Sequence, residues 1–264
     1  MKSGKQVLRG TLPTMTVTPA RVRLFEASQR PLTRDGSWLQ TSWGRCRVVG
    51  RLGQRHADLL EAILHSAARW RDTDDETIEL LVDPAKVRRK LSDTGHSGER
   101  IAKWLDELMA VVIEIDTARL HVLGHLIDHV KNSFNTHYNA LGGERHLWVV
   151  RLGIPLCELL RADYPLYYDP APLARLVHGI SQAIARHLLT HSDEPNGGTW
   201  KLEGLMEAVA GGLDSQARRN ARRRVRADTE GLAKLGVIVD GDRVSREQIQ
   251  LRVSEQQTGK RHRS

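Results

Sequence analysis

The stretch Leu213–Val237, LDSQARRNARRRVRADTEGLAKLGV, decides how the rest of the chain is interpreted. Six arginines fall within nine of its residues, with no acidic residue among them. Asp214 or Ser215 can cap a helix here, and Asp228 and Thr229 form the one gap in its apolar side. At helical spacing one stripe holds the apolar residues Ala217, Ala221, Val225, Leu232 and Leu235. The stretch therefore predicts a helix that buries one narrow face and turns a dense cationic face outward.

A basic surface helix whose charges meet only water is the alternative interpretation. Neighbouring arginines on a helix repel one another. The run contains no interspersed acidic residue to offset that repulsion. A polyanionic partner is therefore the favoured interpretation.

Positive charge is concentrated at both ends of the 264-residue chain, whose formal net charge is +8. Residues 1–51 hold ten Lys and Arg against two acids, and residues 214–264 hold thirteen against seven. Residues 52–213 hold seventeen against twenty-three. Affinity for phosphates depends on such local clusters, so this distribution predicts a nucleic-acid partner.

Composition and motifs argue against other classes. No apolar run approaches the ~20 residues of a membrane span, and no secretory signal is visible, so a cytoplasmic protein without a membrane partner is expected. Cys46 and Cys157 form neither a CxxC pair nor a disulfide framework. The chain has no GxxxxGK[ST], GxSxG, HExxH or His-x-His sequence. We therefore expect no catalytic residue, no metal site and no cofactor.

The order of patterns predicts a mainly α fold with small β-hairpin wings (α+β), arranged as tandem winged helix-turn-helix domains. Residues 1–50 are expected to form a basic flexible arm, and residues 254–264 a basic tail. Residues 51–168 form the first predicted winged helix, for interaction, dimerisation and backbone contacts. Residues 169–253 form the second, which is the main DNA reader.

Both predicted domains follow the order helix, strand, helix, turn, helix, hairpin. In the first, Asp83-Pro84 and Ser97 start helices, and a hairpin turns at Asp116-Thr117. In the second, a long helix with Val177 on its inner side is followed by EGLMEAV, Gly211-Gly212 and the arginine helix. Asp240-Gly241 is a strong hairpin signal for its wing.

In a helix-turn-helix the second helix enters the major groove of DNA. The predicted base-edge contacts are Gln216, Arg219 and Asn220. The predicted backbone contacts are Arg218, Arg222, Arg223 and Arg226, with Ser215 beside them at the helix start. Arg243 and Arg246 are expected to meet phosphates near the wing, and Lys201 to anchor the first helix of the pair.

The corresponding helix of the first domain, GERIAKWLDELMAV, is roughly neutral. The helix before it carries the positive charge, so Lys86, Arg88 and Arg89 are predicted backbone contacts there. This domain is expected to supply backbone contacts, protein contacts, or both.

Histidines 121, 125 and 129 could hold a metal at their four-residue spacing, but β-prone neighbours favour the polar side of a strand. Tyr164, Tyr167 and Tyr168 are interpreted as packing residues. Trp38 and Trp43 lie beside basic residues, where stacking on single-stranded bases is one interpretation.

The segment from His191 to Arg246 resembles the C-terminal winged helix of plasmid replication initiators of the TrfA type, and is similar to IncQ-type initiators. The shared features are an EP turn, a KLE helix start, GxDS before a basic helix, and R-V-x-x-x-x-x-x-L after it. The segment from Leu152 to His191 resembles the linker of such initiators, whereas the N-terminal half matches only in element order.

The resemblance implies binding to direct repeats of origin DNA (iterons), opening of adjacent AT-rich DNA, and recruitment of a host initiator and the replicative helicase. It also implies a monomer–dimer equilibrium controlled through the first domain, which would form the homodimer. Three alternatives remain open: a transcriptional regulator of the same geometry, a nickase or recombinase, and a partition or DNA-packing protein.

Overall fold

The computed structural model describes residues 11–94, 96–138, 144–191 and 198–247. The predicted C-terminal tail and most of the SDEPNGG turn lie outside these residues, as do residues 1–10 of the predicted arm. The described residues form ten helices and fourteen strands in a mixed α/β fold.

The segment from residue 11 to residue 51 is folded, unlike the flexible arm predicted from its composition. Leu12, Val22, Leu24 and Phe25 are buried in the same core as the first long helix. These apolar residues are spaced among basic ones, so the segment lacks periodicity yet still supplies a buried face. Its elements are β1 (Met15–Thr16), α1 (Val17–Arg21), β2 (Thr33–Asp35), β3 (Leu39–Thr41) and β4 (Gly44–Arg51).

The next part of the chain contains the helices and strands of the first predicted domain. Asp83 accepts a hydrogen bond from Ala85 N and Ser97 accepts one from Arg100 N, so both predicted helix starts are confirmed. The elements are α2 (Gln54–His65), β5 (Ala67–Asp72), β6 (Ile78–Val82), α3 (Pro84–Leu91), α4 (Gly98–Ala110), β7 (Val112–Asp116), β8 (His121–His125), β9 (Ile127–Tyr138), β10 (Glu144–Leu152) and α5 (Ile154–Ala162).

Two antiparallel sheets dominate this part, which is therefore not mainly α with a small wing. One runs in the order β2-β4-β7-β8, with β3 also paired to β4, and the other runs β5-β6-β10-β9. The predicted hairpin at Asp116-Thr117 forms as β7 and β8. It pairs with β4, a strand of the N-terminal segment that the strand-like sequence CRVVG (Cys46–Gly50) indicated but whose partner local patterns could not assign.

The last part contains the arginine helix. Its elements are β11 (Pro165–Leu166), α6 (Ala171–Ala174), α7 (Gly179–Leu189), β12 (Thr199–Lys201), α8 (Leu202–Ala210), α9 (Ser215–Ala227), α10 (Thr229–Ala233), β13 (Val237–Asp240) and β14 (Arg243–Arg246). The sheet order is β12-β14-β13. Gly241 has φ +56° in the turn between β13 and β14, and this hairpin is as predicted.

The long helix predicted before β12 is wrong in its first half, where the chain breaks between α6 and α7. Val177 N and His178 N donate to the carboxylate of Asp228, at 3.2 and 2.9 Å, instead of continuing a helix. A Cβ at Gly179 would lie 2.7 Å from the backbone of Ser28, so the chain passes close to the N-terminal segment here. Val177 is consequently 67% exposed, not buried as expected.

The same strand arrangement occurs twice. The order β6-β10-β9 corresponds to β12-β14-β13, and in each case the first strand precedes a pair of helices. The strands corresponding to the hairpin after α9 are therefore β9 and β10, whereas β7 and β8 belong to the other sheet.

A buried ionic cluster joins the two parts of the chain. The Arg186 guanidinium of α7 donates to Glu61 at 2.7 and 2.8 Å and to Asp58 at 2.6 Å, both on α2. It also donates to Gln54 Oε1 at 2.7 Å. Burial raises the pKa of Asp58, and the guanidinium opposes that shift. Since buried charges need partners, this cluster keeps α7 in register on α2.

Candidate nucleic-acid interface

A tight turn and a cap set the direction of α9. Gly211 and Gly212 have φ of +61° and +51° and connect α8 to α9. The Asp214 carboxylate accepts a hydrogen bond from Ala217 N at 2.7 Å, which makes Asp214 the cap and leaves Ser215 as the exposed first residue of the helix. Ala221 and Val225 are buried, so the opposite face of α9 points to solvent.

One side of α9 carries arginines paired with acids from other elements. Arg218 lies 3.0 Å from Glu203 of α8, and Arg222 lies 3.7 Å from the same carboxylate. Asp242, in the β13–β14 turn, lies 3.6 Å from Arg222 and 3.5 Å from Arg226. The repulsion expected from the sequence is thus partly offset by two acids that are distant from these arginines along the chain.

The outermost face of α9 collects four polar residues without an acidic partner among the described residues. Gln216, Arg219, Asn220 and Arg223 follow one another at intervals of three, one and three residues, which on a helix places them opposite Ala221 and Val225. Arg219 donates to Gln216 Oε1 at 2.7 Å, and Gln216 donates to Asn220 at 3.4 Å. We call these four residues the outer face of α9.

The outer face contains all three residues that the sequence predicted as base-edge contacts. It also contains Arg223, which the sequence placed with the backbone contacts. Arg224 is exposed as well and was missing from the predicted contacts. Helical angle, measured from the buried stripe, would have placed Arg223 on this face from the sequence.

The remaining predicted contacts of this part differ in exposure. Lys201 is exposed at the N-cap position of α8, and Arg243 is exposed at the start of β14. Arg246 is only 8% exposed and donates to Leu188 O at 3.0 Å. Burial lowers the pKa of Arg246. Its predicted phosphate contact is therefore wrong, because β14 turns this side chain inward against α7.

Lys86, Arg88 and Arg89 are exposed on α3, which packs against α2 and α6. Lys86 and Arg89 line a cleft of about 480 Å³ together with Arg175. The structure thus places these predicted contacts beside a cleft that has no residue of α9 in its lining.

The other singled-out side chains have local partners. His121 Nε2 lies 2.9 Å from Glu114, and His125 Nδ1 lies 3.0 Å from Val111 O. In the described part of the chain, no three His, Cys, Asp or Glu side chains are placed to hold a metal ion. The Arg45 and Arg47 guanidinium groups lie over the Trp38 ring at 4.5 and 5.1 Å.

Burial also controls the two thiols. It raises the pKa of Cys46 to about 11 and that of Cys157 to about 12, so both are neutral at physiological pH. Neither thiol is an activated nucleophile, since a thiolate is the reactive form.

These features define a mixed α/β protein. Its cationic helix α9 follows α8 after a tight turn and lies beside a three-stranded sheet. Among the solved structures that share its fold are two of domains 2 and 3 of RctB. The first, a selenomethionine derivative, has a TM-score of 0.57 at 14% identity and covers 88% of this chain and 98% of that chain. The second has a TM-score of 0.54 at 11% identity and covers 86% and 96%.

No protein-family model matches the sequence, and no curated protein matches it either. None of the helices that the structure describes is long and apolar enough to cross a membrane. At 11–14% identity the likeness to RctB is one of fold, and the residues of α9 must be argued from their own geometry.

Proposed function

We propose that this protein is a DNA replication initiator that binds duplex DNA through the outer face of α9. The observation that carries the proposal is the charge and exposure of this face. Its side chains have no acidic partner in the described chain, and it faces solvent because Ala221 and Val225 are buried on the opposite side of α9. The fold shared with RctB, a replication initiator of Vibrio chromosome II, supports the class.

The arrangement of α8, α9 and the β13–β14 hairpin supports a winged helix-turn-helix as the DNA-binding unit. In such units the second helix lies in the major groove and its first turns contact base edges. Arginine binds guanine O6 and N7 through two hydrogen bonds, and glutamine or asparagine does the same with adenine. Gln216, Arg219, Asn220 and Arg223 therefore have the chemistry for base readout, and Lys201, Arg226 and Arg243 for phosphates.

The finer part of the proposal is a plasmid-type initiator that binds origin direct repeats. This part of the proposal includes origin opening, contact with a host initiator and the replicative helicase, and a homodimer through the first predicted domain. A tandem winged-helix architecture and a non-enzymatic, cytoplasmic role complete it. The doubled strand order, β6-β10-β9 and β12-β14-β13, supports the tandem architecture.

The test replaces pairs of arginines on one helix. Arg219→Ala/Arg223→Ala removes two cations of the outer face, and Arg218→Ala/Arg222→Ala removes two paired cations at the same spacing. Removing a side chain that reads a base costs about 1–3 kcal/mol, so the first variant should bind its selected sequence at least about tenfold more weakly than the second.

The DNA for this comparison is obtained by selection from a genomic library with the wild-type protein. Direct repeats would support an initiator, whereas a single inverted repeat at a promoter would support a transcriptional regulator. Equal affinity of the wild type and the Arg219→Ala/Arg223→Ala variant would show that α9 does not read DNA.

A further inference from the structure

A second cationic cleft, with no residue of α9 in its lining, lies between the start of α2, the exposed side of α4 and residues 29–31. Its volume is about 250 Å³. Its lining includes five cationic side chains, Arg30, Arg51, Arg55, Arg100 and Lys103. These side chains come from segments that are far apart in the sequence, so the fold assembles the cluster.

The cleft contains little negative charge to balance these cations. Its one carboxylate, Glu107, lies 2.8 Å from His56 Nε2 and 3.7 Å from Arg51. Within the described ranges, no acidic side chain lies within 4 Å of the charged groups of Arg30, Arg55, Arg100 or Lys103. Four cations of the cleft therefore have no ion pair within that distance, and Asp58 acts on Arg55 only from farther away.

The cations are close enough to perturb one another. Burial, Arg100 and Arg30, in that order, lower the pKa of Arg55, and Asp58 opposes this shift. Burial, Arg100 and Arg55 lower the pKa of the neighbouring His96. The folded protein thus holds like charges together against their repulsion, which a bound anion would relieve.

The central guanidinium of the cluster is held in place before any ligand binds. Arg55 donates to Gln29 Oε1 at 3.3 Å and lies 5.4 Å above the Trp104 ring. Gln29 in turn donates to Leu176 O at 3.1 Å. A fixed guanidinium loses less conformational entropy on binding than a free one, and its planar fork matches phosphate oxygens.

We propose that this cleft is a phosphate-binding site. Its volume of about 250 Å³ gives room for a few phosphate groups but not for a segment of double helix. Two sources supply such groups: the backbone of DNA lying across the rim, or a free polyphosphate. The proposal is independent of the readout by α9.

The test uses Arg30→Ala/Arg100→Ala, two exposed residues whose removal leaves the core intact. Its control is Arg69→Ala/Lys234→Ala, which removes the same charge from exposed positions outside the cleft lining. Calorimetry on the full chain measures its affinity for inorganic tripolyphosphate, which tests a free polyphosphate as the ligand. The DNA arm measures the dependence of duplex affinity on salt.

For a free polyphosphate, the cleft variant should bind tripolyphosphate at least about tenfold more weakly than the control. For DNA backbone phosphates, the slope of log K against log salt should flatten by about 0.9 for each phosphate that the cleft variant no longer neutralises, and should stay unchanged in the control. If the two variants match each other in both arms, the phosphate site does not exist. Loss of tripolyphosphate binding in the cleft variant, together with unchanged DNA binding in Arg219→Ala/Arg223→Ala, would refute the proposed function and leave this inference standing.

Discussion

The helices α4 and α9 follow the same kind of strand and helix, yet their surfaces acquire positive charge in different ways. Helix α9 carries six arginines of its own, and three of them pair with Glu203 and Asp242. Helix α4 contributes Arg100 and Lys103 to a cluster whose other cations come from α2 and the N-terminal segment. A charge run in one helix is visible in sequence, whereas an assembled cluster requires the fold.

The two parts of the chain also stabilise each other through the cluster around Arg186. Breaking this cluster should have the largest effect on the free energy of unfolding. In Arg186→Met, Asp58 and Glu61 would remain buried without their cation, which costs about 3–5 kcal/mol when one partner of such a pair is removed. Urea unfolding followed by circular dichroism measures the change. The matched control is Arg223→Met, an exposed arginine, which should change stability by less than about 0.5 kcal/mol.

If Arg186→Met unfolds in two separate transitions, the parts are stable alone and the cluster only fixes their arrangement. If its stability equals that of the wild type, the cluster contributes nothing to the joint. The second result would also mean that the Arg186 cluster does not fix the outer face of α9 relative to the cleft beside α4.

A smaller effect concerns the pH dependence of stability, which should come from His187 in α7. Burial, then Arg21 and His191, lower the pKa of His187 from 6.5 to about 3, so this ring stays neutral when folded and takes up a proton on unfolding. The unfolding free energy should therefore fall by up to about 1.4 kcal/mol per pH unit as the pH drops below about 6.5.

The measurement is denaturant unfolding between pH 7 and 4. His187→Gln should have a shallower pH dependence than the wild type, since it removes one such proton. His146→Gln, at an exposed position of β10, should retain the wild-type dependence. Identical slopes for all three proteins would mean that His187 is not the group responsible.

The smallest effect concerns the turn before α9. Gly211 has φ +61°, and a Cβ there would clash with the Arg23 guanidinium, so Gly211→Ala should cost about 1–2 kcal/mol. Gly204 lies inside α8 with nothing within 4 Å of an added Cβ. Gly204→Ala should therefore stabilise the protein by about 0.5–1 kcal/mol. Thermal unfolding distinguishes the two, and equal shifts would contradict the role of the turn.

Local signals predicted the elements around α9 well, because each depends on neighbouring residues. Gly211-Gly212 makes the turn and Asp240-Gly241 makes the hairpin, as the sequence predicted, and Asp214 is the cap of the two candidates, Asp214 and Ser215. Long-range pairing was not predictable in the same way. Strand β4 pairs with β7, whose residues lie more than sixty positions later, and no local pattern encodes that partner.

The candidate site divides along the same line. Closeness to the helix start selected Gln216, Arg219 and Asn220 in the sequence, and the structure places them on one face of α9. Sequence position could not place Arg246, whose burial against α7 depends on how β14 packs.

The sequence by itself determined that a cationic helix follows a helix turn and precedes a hairpin, because capping, turn chemistry and helical periodicity act over a few residues. Tertiary structure alone decided which charges on that helix stay unpaired, since Glu203 and Asp242 reach it only after folding. It also decided that the N-terminal segment folds and that Arg30, Arg55 and Arg100 meet in one cleft. Side chains far apart in sequence interact only when packing brings them within a few ångströms, and packing is a property of the whole chain.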